Sequence, residues 1–250
     1  MKISENNLLN QFKNITCAFT DKEGGVSLRP YSSLNLAFHV GDDPRHVQMN
    51  HTLLAQELGY EKISLVHMKQ IHSERVHVVD DEDRFENPQS CDALVTNKKN
   101  TPLMVMVADC TPLLFYDDAQ KVIAVAHAGR AGAFKNIVHK TLEAMACGFR
   151  SRPENIYVTL GASIGVCCYE VGAEIYDEAL GMYLEYAVEL RDKRYYLDIN
   201  RILHSQLLAC GIREENIEIS KECTCCNPHR HFSYRAEGTT GRSCGIILMN

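Results

Sequence analysis

Short apolar runs broken by polar punctuation dominate the middle of this chain. LMVMVA (103–108), PLLFY (112–116) and VIAVAHA (122–128) are too brief for separate helices, and each reads as a buried strand. Further strands are expected at Thr16 to Phe19, Leu65 to Met68, Arg75 to Val79, in IYVTLG, and in the tail segments IEIS, HFSY and CGIILM. Helical patterning runs from Pro44, favourable at a first helical position, to Leu58, with Gly59 placed to end it. A second helix is expected over Ala133 to Ala146, closed by Gly148, and a helical region begins at VGAEIYDEAL. LDINRILHSQLLACG reads as a helix with Asp198 as its cap. Gly24-Gly25 and Pro30 mark the loop before the first helix as irregular. Strands and helices interleave without a clean βαβ rhythm, which favours an α+β fold with mixed β-sheets flanked by helices. Repeats, low-complexity tracts and linkers are absent from the sequence, so residues 1–250 read as a single domain.

Composition narrows the function classes. The 250 residues are 45% hydrophobic and 23% charged, ordinary for a globular protein with a substantial core. No stretch approaches the roughly 18 apolar residues that span a bilayer. A formal net charge of -6 disfavours a nucleic-acid groove, while leaving local arginines free to bind small anions. The opening MKISENNLLNQFKN is polar where an export signal needs an apolar stretch, so a cytoplasmic location is expected. Eleven cysteines, an odd number in a chain of this length, fit a reducing compartment better than a disulfide scaffold.

Three polar residues are conspicuous, each at or near the end of an expected strand. Cys110 follows LMVMVA and Asp109, His127 ends VIAVA, and His72 occupies the break between two expected strands. Side chains at strand ends can converge on one cavity. One thiolate and two imidazoles suit zinc, and three protein ligands leave a fourth position open. Their spacing matches no compact metal motif. A Cys-His nucleophilic dyad and ordinary structural roles stay open on the pattern alone.

The segments GGVSLRPYSSLNL (24–36), KQIHSERV (69–76), CDALVT (91–96), ADCTPLLFYD (108–117), AHAG (126–129), IGVCCYEVG (164–172), and CT, HFSYR and TGR near the end occur in an order that covers nearly the whole chain. Together they resemble the YfiH-like family, also called laccase-domain or multicopper polyphenol oxidoreductase-like proteins and later reassigned as purine nucleoside phosphorylases. The resemblance implies a layered α/β/β/α architecture and zinc at His72, Cys110 and His127, which would also be the catalytic residues. It implies phosphorolysis of adenosine, inosine, guanosine and methylthioadenosine by inorganic phosphate, with deamination of adenosine at the same site. Oligomeric state is not implied. Copper is expected there only adventitiously.

Beside these, Arg235 offers a planar fork for phosphate or a ribose hydroxyl. Asn35 is a candidate ligand contact, set against a role in stabilising its own turn. Phe232 and Tyr234 are set between base stacking and core packing, Cys167-Cys168 are a candidate cavity wall, and Asp109 is a candidate to orient a ligand residue. The family continues His-Ala-Gly with Trp-Arg-Gly, whereas this chain reads Arg130-Ala131-Gly132, so Arg130 is a substrate-binding candidate displaced by one position. Ala162-Ser163 stand where a Gly-Pro type segment is usual. Rival readings are a metal-free Cys-His hydrolase acting on peptidoglycan precursors and a copper polyphenol oxidase. The oxidase needs several His-X-His pairs, and the chain has one, His229-Arg230-His231. A third is a structural zinc module from Cys223, Cys225, Cys226, His229 and His231, whose CxCC spelling departs from the usual CxxC.

Overall fold

The apolar runs are unbroken because most of their strands are covered on both faces. The computed structural model describes residues 3–4 and 7–250. Leu103–Val107 lies at one side of a four-stranded antiparallel sheet, followed by Ser243–Met249, Ile15–Thr20 and Ile3–Ser4. A six-stranded sheet runs in the order Ile217–Ile219, Ile156–Leu160, Thr111–Asp117, Val122–Ala128, Ala93–Thr96 and Val76–Val78. Its inner four strands are antiparallel and its outer two pair in parallel, so the sheet is mixed.

Side-chain alternation then sorts each run into two cores. Along Val122–Ala128, Val122, Ala124 and Ala126 pack with Val138, Leu142, Ile202 and Leu203 of the helices Ile137–Phe149 and Ile199–Ala209. Ile123 and Val125 point the other way, meeting Leu103, Val105 and Ile247 of the four-stranded sheet. The far face of that sheet, with Met104, Met106 and Ile246, packs on Leu54 of the helix Pro44–Leu58. Helices, sheet, sheet and helix thus stack in four layers, the expected architecture. A strand inside such a stack has no face for polar residues.

Local signals set several boundaries. Asp43 accepts the Arg45 N–H at 2.9 Å, Pro44 opens the helix, and Gly59 ends it at φ 72°. Asp198 caps Ile199–Ala209 by accepting from Arg201 N at 3.0 Å. The single helix expected over Ala133 to Ala146 is instead two, Arg130–Phe134 and Ile137–Phe149. Asn136 breaks them, because its left-handed backbone lets its side chain accept from His139 N and cap the second helix. Gly148 lies inside that helix, which Arg150 closes at φ 60°. HFSY is not a strand: Ser233 accepts from Ala236 N and starts the short helix Tyr234–Glu237. Its alternating aromatics imitate a strand, but a serine that can cap favours a turn into helix. Among the described residues no helix is long and apolar enough to cross a membrane.

Leu114 is fully buried between the two large sheets. Leu114→Ala is expected to lower stability by about 2–5 kcal/mol, the range for a large-to-small core change, read as a reduced urea midpoint with unchanged slope.

Candidate metal centre and its cavity

The chain passes from the four-stranded to the six-stranded sheet through a three-residue bend, 108–110, and Cys110 is its last residue. Asp109 sits in the bend at φ 86°, and its carboxylate accepts from Thr224 Oγ1 and from Arg235 N, each at 2.6 Å. These contacts fix the turn that presents the cysteine. His127 stands opposite Pro112 on the neighbouring strand. His72, at φ 56°, projects from the connection between Met68–Lys69 and Val76–Val78. That connection is held by Gln70, whose amide donates to Met106 O and accepts from Met106 N. The donor atoms of His72, Cys110 and His127 all lie within 4.8 Å of one another.

Asp92, fully buried at the start of Ala93–Thr96, organises the group. Its carboxylate accepts the backbone N–H groups of Ile71, His72 and Ser73 and the Ser73 hydroxyl, at 2.7 to 3.2 Å. It also lies 2.9 Å from His127 Nδ1. An ionised carboxylate can only accept, so Nδ1 carries the proton and leaves Nε2 free as a ligand. Burial alone would raise the Asp92 pKa, but hydrogen bonds from His127 and Ser73 overcome it and hold it down to about 2. Burial likewise disfavours charge on both Cys110 and His127. Their mutual attraction outweighs it, lowering the thiol pKa and raising that of the imidazole, with Asp92 helping the latter. Space is equally constrained: a Cβ on Gly129 would sit 2.9 Å from Cys110 Sγ and 3.3 Å from His72 Cδ2. Only glycine lets the chain pass this close to the sulfur.

The three donors face a cavity of about 800 Å³, within the range of small-molecule sites. Apolar walls come from Met68, Met106, Ile164 and Tyr169, and three arginines, Arg130, Arg235 and Arg242, border it. Arg235 donates to the carbonyls of Cys168 (3.2 Å) and Glu170 (3.1 Å), and its guanidinium lies 5.2 Å from the Tyr169 ring centre. Arg242 donates to Thr240 O and Gly241 O. Burial lowers its pKa, with Cys110 and Asp109 opposing. Sequence reasoning missed Asp92 and Arg242. Their signals, an acid opening a buried strand and an arginine before the last strand, are too common to single them out.

The structure distributes the other candidates unevenly. Arg130 borders the cavity as the first residue of the helix Arg130–Phe134 and is paired with Glu178. Tyr234 borders it and is exposed, whereas Phe232 is buried. Asn35 is fully buried, its amide spent on Ala37, Asp42 and the Arg242 N–H, so it supports the loop next to Arg242. Asp109 orients Arg235 and Thr224 instead of a donor residue. The cavity wall is made by Ile164 and Tyr169, while Cys167 and Cys168 meet Cys223 and Cys226 elsewhere. Cys225, His229 and His231 are not in that group, and His231 binds Glu222 at 2.7 Å.

A half-buried cysteine sulfur and two imidazoles, one locked by a carboxylate, could supply three ligands to a metal ion and leave one corner open. The same Cys110–His127–Asp92 line is also the geometry of an activated cysteine nucleophile. The family described as multi-copper polyphenol oxidoreductase laccase matches residues 16–250. A Corynebacterium glutamicum protein named purine nucleoside phosphorylase is 38% identical over 232 residues, 92% of this chain and 93% of that one. The Bacillus subtilis purine nucleoside phosphorylase YlmD is 34% identical over 248 residues, 95% of this chain and 89% of its own. The crystal structure of the Bacillus licheniformis hypothetical protein YfiH superposes with a TM-score of 0.90 at 31% identity, covering 96% and 94% of the two chains. That of YlmD from Geobacillus stearothermophilus gives 0.88 at 30% identity, covering 96% and 93%.

Asp92→Asn keeps the shape but replaces an acceptor-only group with one that also donates. The expected result is a roughly 10–100-fold loss of Zn²⁺ affinity, measured by competition with a chromophoric chelator. The metal-free protein gives a second readout. With an unfolded pKa of about 3.9 and a folded value of about 2, ionised Asp92 stabilises fully above the first. That contribution disappears as pH falls through the second. Asp92→Asn should therefore flatten the acid limb of stability between these values, seen in denaturation curves at successive pH.

Proposed function

The chain belongs to the multi-copper polyphenol oxidoreductase laccase family, and on that premise we propose that it is a zinc-dependent purine nucleoside phosphorylase that also deaminates adenosine. The observation that carries this reading is the meeting of His72, Cys110 and His127 at a cavity bordered by arginines. The names of the curated relatives support the substrate class. The donor set supports zinc: three borderline and soft ligands, two of them fixed by Asp92, fit an ion with one exchangeable position. Zinc held there supplies a Lewis acid able to activate water or polarise an oxygen of a bound ligand.

The chain's own residues have defined tasks in this reading. Phosphorolysis builds positive charge on the ribose and negative charge on the departing base, so phosphate must be held against its own repulsion. Arg235 offers the guanidinium donors not spent on Cys168 O and Glu170 O, and those two contacts fix its plane. Arg242 adds a second cation and Arg130 a third, the latter restrained by Glu178. Tyr169, Met68 and Met106 give a purine apolar and aromatic surface while excluding water. Asp92 keeps His127 in one tautomer throughout.

Multi-copper oxidation fits the donors poorly. The one His-X-His pair lies at His229 and His231, and His231 is buried against Glu222. The metal-free hydrolase draws support from the depressed Cys110 thiol and its oriented histidine. It gives no task to His72 as a third donor. Stoichiometric zinc that is lost in Cys110→Ala favours the phosphorylase; iodoacetamide labelling of Cys110 at neutral pH, unprotected by zinc, favours the hydrolase.

Incubation with adenosine should yield adenine only when phosphate is present, and inosine with or without it, read by chromatography. His127→Ala should abolish both products in a folded protein; full phosphorolysis by that variant would refute the site. Arg235→Ala should raise the phosphate KM by about 10-fold or more, the loss of a charge-assisted hydrogen bond. An unchanged phosphate dependence would remove Arg235 from the anion site.

A further inference from the structure

Away from the cavity, the chain gathers a second set of donors. Cys167 and Cys168 lie in the turn after Gly165, and Cys223 and Cys226 in the turn after Ile217–Ile219. Their four sulfurs all lie within 4.8 Å of one another. Cys226 Sγ is 3.3 Å from Cys168 Sγ and 3.6 Å from Cys167 Sγ. Tetrahedral zinc with Zn–S bonds of about 2.3 Å spaces its sulfurs about 3.8 Å apart. The four thiols therefore already stand at close to the spacing of a closed S4 site. We propose that Cys167, Cys168, Cys223 and Cys226 bind one structural zinc ion, separate from the His72, Cys110 and His127 centre.

The backbone builds this site. Skipping Cys225, Cys223 and Cys226 have the C-x-x-C spacing of a zinc knuckle, which the crowded CxCC run conceals. The two turns are bolted together by the Ser163–Cys223 bridge and by Thr224 N donating to Ser163 O at 3.0 Å. Gly165 N points at Cys223 Sγ, 3.2 Å away, a contact that favours thiolate. Cys168 N and Tyr169 N both return to Gly165 O, and this tight turn lets adjacent cysteines aim at one centre. Cys167 and Cys226 are exposed and Cys168 is half-buried, so hydrophobic packing does not account for three of the four positions. A disulfide would use two sulfurs and leave two unexplained.

The consequence for the cavity is mechanical. The segment pinned by this ion supplies Ile164 and Tyr169 to the wall and the Cys168 and Glu170 carbonyls to Arg235. The other turn supplies Thr224 to Asp109. The ion would clamp both sides of the Arg235 wall while touching no substrate. The metal assignment itself is independent of the reaction proposed above.

The test is zinc content by elemental mass spectrometry on full-length protein purified under reducing conditions from zinc-supplemented cells. Wild type should carry two zinc ions per chain, Cys226→Ser one, His127→Ala one, and the double variant none. Should the His72 centre hold no metal, wild type would carry one ion that His127→Ala keeps and Cys226→Ser loses, so the two assignments fail separately. Wild-type protein whose zinc is unchanged in Cys226→Ser would overturn the proposal. If Cys226→Ser does not fold, thiol titration of native wild type decides. Five thiols, these four and Cys110 of the other centre, should become reactive only after chelation, or four if that centre holds no metal; reaction of the four before chelation, or a Cys168–Cys226 disulfide found by alkylation mapping, would overturn the proposal. Cobalt substitution gives an independent signature, a sulfur-to-metal absorption in His127→Ala with the intensity of four bound thiolates, well above that of one, which Cys226→Ser should sharply reduce; an intensity of one thiolate or less would overturn the proposal.

Discussion

A single buried carboxylate holds the site together. Asp92 lies out of solvent, where an ionised group without partners would cost several kcal/mol. Every donor that offsets this cost belongs to the centre: three successive N–H groups from the His72 connection, the Ser73 hydroxyl and the His127 ring. The carboxylate thus positions two imidazoles from different parts of the chain relative to one sulfur. The dependence is mutual, since the charge is tolerated only while the connection stays folded around it.

The layered sheets decide where such a group can exist. Two sheets packed face to face leave little room between them, and the chain changes sheet at 108–110, where the packing opens. A thiol at that crossing faces outward into the cavity but rests on the inter-sheet core. The candidate donors there are one sulfur and two imidazoles, enough for a single ion, and three arginines give the cavity border positive charge.

Much of this could be read from the chain, and the failures have physical causes. The buried strands and the helix from Pro44 to Leu58 were legible because their signals are local: unbroken apolar runs, a proline start, a glycine stop. Cys110 and His127 were conspicuous at the ends of apolar runs, and His72 in the break between two expected strands. Asp92 was not, since one acid beside a strand looks like any other and its role rests on partners about 20 and 35 residues away. The hairpin Val188–Arg191 to Arg194–Leu197 turns on Asp192 and Lys193, both left-handed, where a glycine would have announced it. The four-thiol group unites turns 58 residues apart, as in the Cys168–Cys226 pair, so only the fold reveals which cysteines belong together.

His72 and Asp109 share a backbone conformation that L side chains adopt at a penalty of roughly 1–2 kcal/mol each. Glycine would relieve it at both positions. Glycine at either place would ease the backbone but delete a donor at His72, or at Asp109 the anchor for Thr224 and Arg235. A side chain at both places therefore sets backbone ease against chemistry, and stabilising substitutions are best sought anywhere else in the molecule.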